Sequence, residues 1–191
     1  MNDKKFFVFD MGSAHTPKIV DSIIEIGYLV DTQSYEEITS NYFNKIIKEY
    51  NGIIISGSPL NIKDDNFPNL PFDKLPGIPI MAICYGMQLI GHKQGADVIE
   101  CNNGKGEKGK YELDILEDSI LFKGFNNKSS VFHFHEYMLN NIPEGWKLTS
   151  STKHTKIASI EKDDKYFCTQ FHPECLQSTR VIIKNFLDEI C

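Results

Sequence analysis

The chain has 191 residues, 41% of them hydrophobic, with 20 basic and 26 acidic side chains for a net charge of -6. That length supports one well-buried core and is short for two full domains, so residues 1–191 read as a single domain. The basic residues are scattered rather than gathered into an arm or stripe, which argues against nucleic acid as a partner.

Residues 1–5 run straight into an apolar segment too short for the core of a signal peptide. No later apolar stretch approaches the roughly 20 residues needed to span a bilayer, so a cytoplasmic protein with no membrane partner is expected. The cysteines at positions 84, 101, 168, 175 and 191 are odd in number and lack CxxC spacing. Free thiols in a reducing compartment fit this pattern better than disulfides or zinc.

In chain order, the apolar run 6–10 predicts a strand that ends at Gly12-Ser13. Ile19, Ile23 and Ile26 then recur at helical spacing, and Gly27 is placed to cap that helix. Residues 28–30 restart an extended run, and 35–50 carry a second amphipathic pattern through Ile38, Ile46 and Ile47. The continuous apolar runs 52–55 and 78–83 suit strands covered on both faces by helices, as in a parallel sheet. Alternating strand and helix signals of this kind imply an α/β domain. Between them, 61–76 holds three prolines and reads as a loop or broken helix. Past the glycine-rich 104–109, taken as a flexible turn, the texture changes to short extended segments at 111–116, 131–138, 146–150, 157–161 and 166–171. These predict a smaller antiparallel portion in the C-terminal half. An amphipathic helix over 176–190 closes the chain.

Two local patterns carry chemistry. Ala82-Ile83-Cys84-Tyr85-Gly86 follows a buried strand signal and precedes a helical one over 87–93, which sets Cys84 on a strand-to-helix turn. Such a nucleophile elbow strains its central residue and needs small neighbours two places to either side, here Ala82 and Gly86. It also places the sulfur at a helix N-terminus, where thiolate is favoured. At the end of another extended run, Phe171-His172-Pro173-Glu174 puts His172 and Glu174 two residues apart, on one side of the chain. A thiol nucleophile needs a base that is itself oriented by a third group, and this pair can supply both. His133 and His135 also share one side of a strand, but no third ligand stands at an obvious spacing, so no metal is expected. His15, His92 and His154 belong to no such pattern and read as surface or structural.

With Ser56-Gly57-Ser58-Pro59, Ile83-Cys84-Tyr85-Gly86-Met87-Gln88 and Phe171-His172-Pro173-Glu174 in that order, the chain resembles the class I (triad) glutamine amidotransferases. Within that family it is most similar to the glutaminase part of GMP synthetases, through Asp10-Met11-Gly12-Ser13-Ala14-His15-Thr16 and Ile142-Pro143-Glu144-Gly145-Trp146. The resemblance implies a flavodoxin-like fold, with a mostly parallel central sheet flanked by helices. It implies that Cys84 attacks the carboxamide of glutamine, that His172 protonates the departing ammonia, that Glu174 orients His172, and that a γ-glutamyl thioester on Cys84 is then hydrolysed. The backbone N–H groups of Ser58 and Tyr85 would form the oxyanion hole, each donor worth about 3–4 kcal/mol. Gly57, Gln88, Phe134, His135, Glu136 and Tyr137 would bind substrate, and Glu107 and Gly109 match a loop beside the active site. No cofactor is implied in this chain. ATP and Mg would be used by a separate ATP-pyrophosphatase (synthetase) subunit that takes the ammonia to aminate XMP.

Departures from the family pattern lie on the substrate side. Ser58 stands where a second glycine is usual, Ala82 replaces the glycine before Ile83-Cys84, and Phe134-His135-Glu136-Tyr137 stands where relatives resemble Ser-His-Gly-Asp. A positive φ at position 58 would cost serine on the order of 1 kcal/mol. Phe134 and Glu136 add bulk and negative charge near the pocket. Two alternatives stay open: a stand-alone hydrolase of γ-glutamyl amides or the amidotransferase of another pathway, and a non-catalytic binding or regulatory module.

Overall fold

The computed structural model describes residues 4–37, 49–63 and 77–191. Eight strands build its central sheet: β1 (Lys5–Asp10), β2 (Leu29–Ser34), β3 (Gly52–Ile55), β4 (Ile80–Ile83), β7 (Asp114–Ile115), β10 (Lys147–Ser151), β11 (Ser159–Lys162) and β12 (Tyr166–Thr169). They lie in the order β2-β1-β3-β4-β12-β11-β10-β7. The first four and β12 pair in parallel, while β11, β10 and β7 add antiparallel edges. Two further ribbons pair β5 (Val98–Glu100) with β9 (Tyr137–Leu139) and β6 (Glu107–Glu112) with β8 (Ser130–His135).

The period-two alternation of strand side chains divides the core between the two faces of the sheet. Phe7, Phe9, Ile53, Ile55, Ile80 and Ala82 pack on one face with Met87, Leu89 and Ile90 of helix α2 (Tyr85–Lys93). On the other face, Phe6, Val8, Ile54, Met81 and Ile83 meet Ile19 and Ile23 of α1 (Thr16–Ile26) and Ile182 and Ile183 of α3 (Arg180–Asn185). Both faces are thus covered, which is why these strands read as unbroken apolar runs. Each fully buried phenylalanine of β1 contributes roughly 2–3 kcal/mol by leaving water.

Most sequence expectations survive with shifted ends. Gly27 caps α1 at φ 101°, its N–H reaching Ile23 and Ile24 carbonyls, a conformation only glycine adopts cheaply. The run 131–138 breaks at Glu136 into β8 and β9, and the terminal helix starts at Arg180 and finishes as a π turn, Phe186–Ile190. The glycine-rich 104–109 is not one flexible turn. Its last three residues open β6, because Glu107 pairs in register with His135 and Gly109 with His133. Of the pattern over 35–50, Tyr35–Glu37 forms a 3-10 turn, while 38–48 lie outside the described residues, as do 64–76 of the proline-rich stretch. Among the described residues, no helix is long and apolar enough to cross a membrane. All five cysteines are free thiols.

Candidate active site

The site opens where β1, β3, β4 and β12 end, the edge at which open parallel sheets gather their functional loops. Cys84 is the single residue between β4 and α2. Its backbone sits at φ 53°, ψ -107°, a strained conformation, and is held there by Cys84 N–H donating to Thr169 C=O at 2.6 Å and by Gln88 N–H returning to Cys84 C=O at 3.1 Å. Small neighbours are needed for a measurable reason. A Cβ on Gly86 would stand 2.8 Å from the carbonyl oxygen of Ile55, so α2 could not approach β3. The elbow is present as the sequence predicts.

His172 follows β12. Its N–H donates to Phe132 C=O at 2.8 Å, tying the strand end to β8, and Pro173–Cys175 turns back as a 3-10 helix that presents Glu174 to the ring. His172 Nδ1 lies 2.7 Å from Glu174 Oε1, both side chains being at most 3% exposed. With Nδ1 so engaged, Nε2 is the nitrogen left to serve Cys84, whose charge acts on the ring. Burial alone would lower the pKa of His172. The negative charges of Cys84 and Glu174 outweigh it, and the imidazole is held well above its ordinary value. Gly57 makes room for this approach, because a Cβ there would stand 3.0 Å from His172 Cε1 and 3.6 Å from Cys84 Cβ.

A cavity of about 640 Å³ lies over the sulfur, lined by Cys84, Tyr85, Ser58, Gln88, His172 and the 134–137 segment. Ser58 does not adopt a positive φ, so serine in place of glycine carries no backbone strain. Gln88 Nε2 donates to Tyr137 C=O at 2.6 Å and to Gln170 Oε1 at 3.2 Å. In the 134–137 segment, His135 Nδ1 donates to Tyr137 C=O at 3.0 Å, and Glu136 C=O accepts from Cys101 N–H at 2.7 Å. Phe134 C=O accepts from the Cys84 thiol at 3.8 Å, so three carbonyls of that segment are already engaged within the chain. Phe134 is half exposed, with the Lys108 ammonium 4.7 Å from its ring centre, and Glu136 is exposed.

Three features of the site escape sequence reasoning. Gln170, one residue before Phe171, donates from Nε2 toward Cys84 Sγ at 3.6 Å. His15 is neither remote nor merely structural. It lines the cavity, and its ring meets His172 edge-on at 5.1 Å. Burial first, then the positive charge of His172, lowers its pKa. It is delivered by the 10–16 loop, where Asp10 Oδ1 accepts from Gly12 N–H at 2.9 Å and Thr16 Oγ1 at 2.7 Å, and Ser56 Oγ accepts from Met11 N–H at 2.9 Å. Its place inside the Asp10–Thr16 motif was the available signal. His92 and His154 are exposed, as expected. Third, the fold brings Glu107 beside His133 and His135, with Cys101 close to Glu107 and His135, in a buried group at the cavity wall, which Glu107 and His135 help to line. Burial and the neighbouring His135 push the pKa of His133 down to about 3.

A family model described as glutamine amidotransferase class-I matches residues 7–190. The glutamine-hydrolyzing GMP synthase of Petrotoga mobilis is 34% identical over 193 residues, covering 98% of this chain and 36% of that protein. That of Streptococcus pyogenes serotype M2 is 36% identical over 197 residues, covering 100% and 37%. The chain thus spans little more than a third of the length of these relatives. Among solved structures, a provisionally named GMP synthase subunit from Thermoplasma acidophilum superposes with a TM-score of 0.83 at 24% identity, covering 100% of this chain and 95% of that one. A glutamine amidotransferase from Thermotoga maritima gives 0.76 at 18%, covering 100% and 85%. The fold is that of these proteins. By the family model's match, which takes in the elbow and the histidine–glutamate pair alike, the chain belongs to the class I glutamine amidotransferases.

Proposed function

We propose that this chain hydrolyses glutamine to glutamate and ammonia, and that it does so as the amidotransferase subunit serving GMP synthesis on a separate ATP-pyrophosphatase chain. The observation that carries the chemistry is the Cys84–His172–Glu174 constellation, with His172 Nδ1 2.7 Å from Glu174 and with Cys84 and His172 lining one cavity. The Cys84 thiolate adds to the carboxamide carbon. The tetrahedral oxyanion meets the backbone N–H groups of Ser58 and Tyr85, and His172 passes its proton to the departing ammonia. Water, deprotonated by His172, then cleaves the γ-glutamyl thioester and returns the proton to the enzyme. None of these steps calls on a cofactor in this chain, and ATP and Mg would be used by the partner.

The GMP-synthesis assignment is supported by relatives at 34–36% identity that match this chain along nearly its whole length. Glutaminase activity measured with and without an ATP-pyrophosphatase chain tests it. The reading expects weak hydrolysis alone and a clear rise with the partner and XMP. Full activity alone, with no response to the partner, would sink the pathway assignment. In that event the exposed Phe134 and Glu136 at the cavity favour the second reading, a hydrolase of γ-glutamyl amides. A screen of such amides against free glutamine, with Cys84→Ala as the blank, separates the two.

A further inference from the structure

At the wall of the cavity, which Glu107 and His135 help to line, β8 turns His133 and His135 to the same side, and β6 brings Glu107 opposite His135. The side chains of Glu107, His133 and His135 are at most 1% exposed. Their ligating atoms form a triangle. His133 Nδ1 is 2.8 Å from His135 Nε2 and 3.3 Å from Glu107 Oε2, and His135 Nε2 is 3.2 Å from the same oxygen. Cys101, fully buried just after β5, brings its sulfur within 4.8 Å of the Glu107 and His135 ligand atoms.

Proton accounting shows what is missing. His135 Nδ1 is committed as donor to Tyr137 C=O at 3.0 Å, so the Nε2 of the neutral ring offers a lone pair. Thr155 Oγ1 donates its own hydrogen to Glu107 Oε2 at 2.6 Å. Three basic atoms therefore face one another, with one ring proton, on His133 Nδ1, to serve three edges. Two further buried atoms, Glu107 Oε1 and His133 Nε2, have no hydrogen-bond partner among the described residues. Unsatisfied buried groups of this kind are costly, and a cation at the centre of the triangle, with the His133 proton moved from Nδ1 to the unpartnered Nε2, would relieve the convergence of lone pairs.

We propose that Cys101, Glu107, His133 and His135 form a binding site for a divalent transition metal of the zinc type. Bonds of about 2.0–2.1 Å to nitrogen and oxygen place tetrahedral ligand atoms about 3.3 Å apart, close to the edges of this triangle, and the Cys101 sulfur, within 4.8 Å of the Glu107 and His135 atoms, would close in as the fourth ligand. The mixed nitrogen, oxygen and sulfur donor set suits zinc and its spectroscopic substitute cobalt better than calcium or magnesium. The surrounding contacts are those a metal site requires. Tyr137 C=O orients one imidazole through its remote N–H, and the Thr155 hydroxyl orients the carboxylate. The metal would pin the loop after β5 and the start of β6 to the 134–137 segment that walls the substrate cavity. Its role is positional, and the chemistry at Cys84 does not pass through it.

Chelator-treated full chain carrying Cys84→Ala and Cys175→Ser provides the test. Those changes remove the thiols beside His172 and Glu174, the other group of metal-capable side chains among the described residues. Titration with Co2+ is expected to reach one equivalent per chain, with a sulfur-to-cobalt charge-transfer band that Zn2+ displaces, and saturating Zn2+ should raise the thermal midpoint. Cys101→Ala should abolish the band, and Glu107→Gln should weaken binding at least about tenfold. Failure of the parent double variant to take up an equivalent overturns the proposal without reliance on any further substitution. So does binding whose affinity and spectrum are unchanged by Cys101→Ala.

Discussion

The side-chain nitrogen of Gln170 lies 3.6 Å from the Cys84 sulfur, while the oxygen of the same amide accepts from Gln88 Nε2 at 3.2 Å. Gln88 is oriented in turn by Tyr137 C=O, so a chain of two amides points one N–H at the nucleophile. A hydrogen bond to a charged group contributes about 1.5–3 kcal/mol, which corresponds to roughly 10- to 150-fold in rate where the thiolate is the reacting species. Gln170→Leu should therefore slow glutamine hydrolysis and Cys84 alkylation together, by at least about tenfold. Gln170→Glu, which sets a carboxylate beside the thiolate, should slow both further. Parallel kcat and alkylation-rate measurements decide it, and a leucine variant equal to wild type in both would show that the amide chain is only packing.

Glu174 both orients His172 and raises its pKa, so Glu174→Gln should act in two ways. Activity falls by at least about a hundredfold, as the imidazole loses its fixed orientation and the charge that stabilises its protonated form. The stability effect has a defined sign. His172 is raised above its ordinary 6.5, so its contribution is fully present below that value and is lost as pH rises through the raised folded-state value. Denaturation midpoints of wild type and variant should then differ most at acid pH and converge on the alkaline side. Equal separation across the whole range would show that Glu174 contributes by packing alone.

Thiol chemistry should be confined to one position. Burial first, then Glu107, pushes the Cys101 thiol up to about 11, burial pushes Cys191 to about 12, and burial raises Cys168 and Cys175 too. At neutral pH these four stay protonated and slow. Cys84 faces an open cavity and an imidazolium. Intact-mass analysis after brief treatment with a glutamine-mimicking chloroketone should show one adduct on wild type and none on Cys84→Ala. Failure of wild type to react would favour the non-catalytic reading instead.

What the sequence reveals is what lies close along the chain. The elbow at Cys84 and the His172–Glu174 pair are each fixed within about five residues, so their geometry follows from strand and turn rules alone. The distant meetings are not legible. His15 reaches His172 only because Ser56 fastens the loop after β1 to the end of β3, and Gln170 reads as one more strand residue until β12 is set beside β4. Glu107 sits in a stretch whose glycines signal a turn, and it becomes a strand residue through a partner strand far along the chain. The apolar runs predict buried strands but not their order, since nothing local says that β12 inserts between β4 and β11.

The pair Gly57 and Ser58 separates two reasons for small residues in one loop. Ser58 avoids positive φ, and its hydroxyl accepts from Leu60 N–H at 3.0 Å, so Ser58→Gly loses one partly buried hydrogen bond and some chain stiffness. That should cost about 1 kcal/mol of stability and leave hydrolysis within a few-fold of wild type. Gly57 is small because of what it faces. An alanine there meets His172 Cε1 at 3.0 Å and Cys84 Cβ at 3.6 Å, the two groups between which the proton must pass. Gly57→Ala should lower kcat at least about tenfold through displacement of the imidazole, with a smaller effect on the unfolding midpoint, since misplacement by a fraction of an ångström weighs more on proton transfer than on packing. Thermal melts beside steady-state kinetics on both variants check the contrast. An alanine variant with wild-type kcat would mean that the ring yields without consequence, and that the closeness of Gly57 to the triad has no part in setting its geometry.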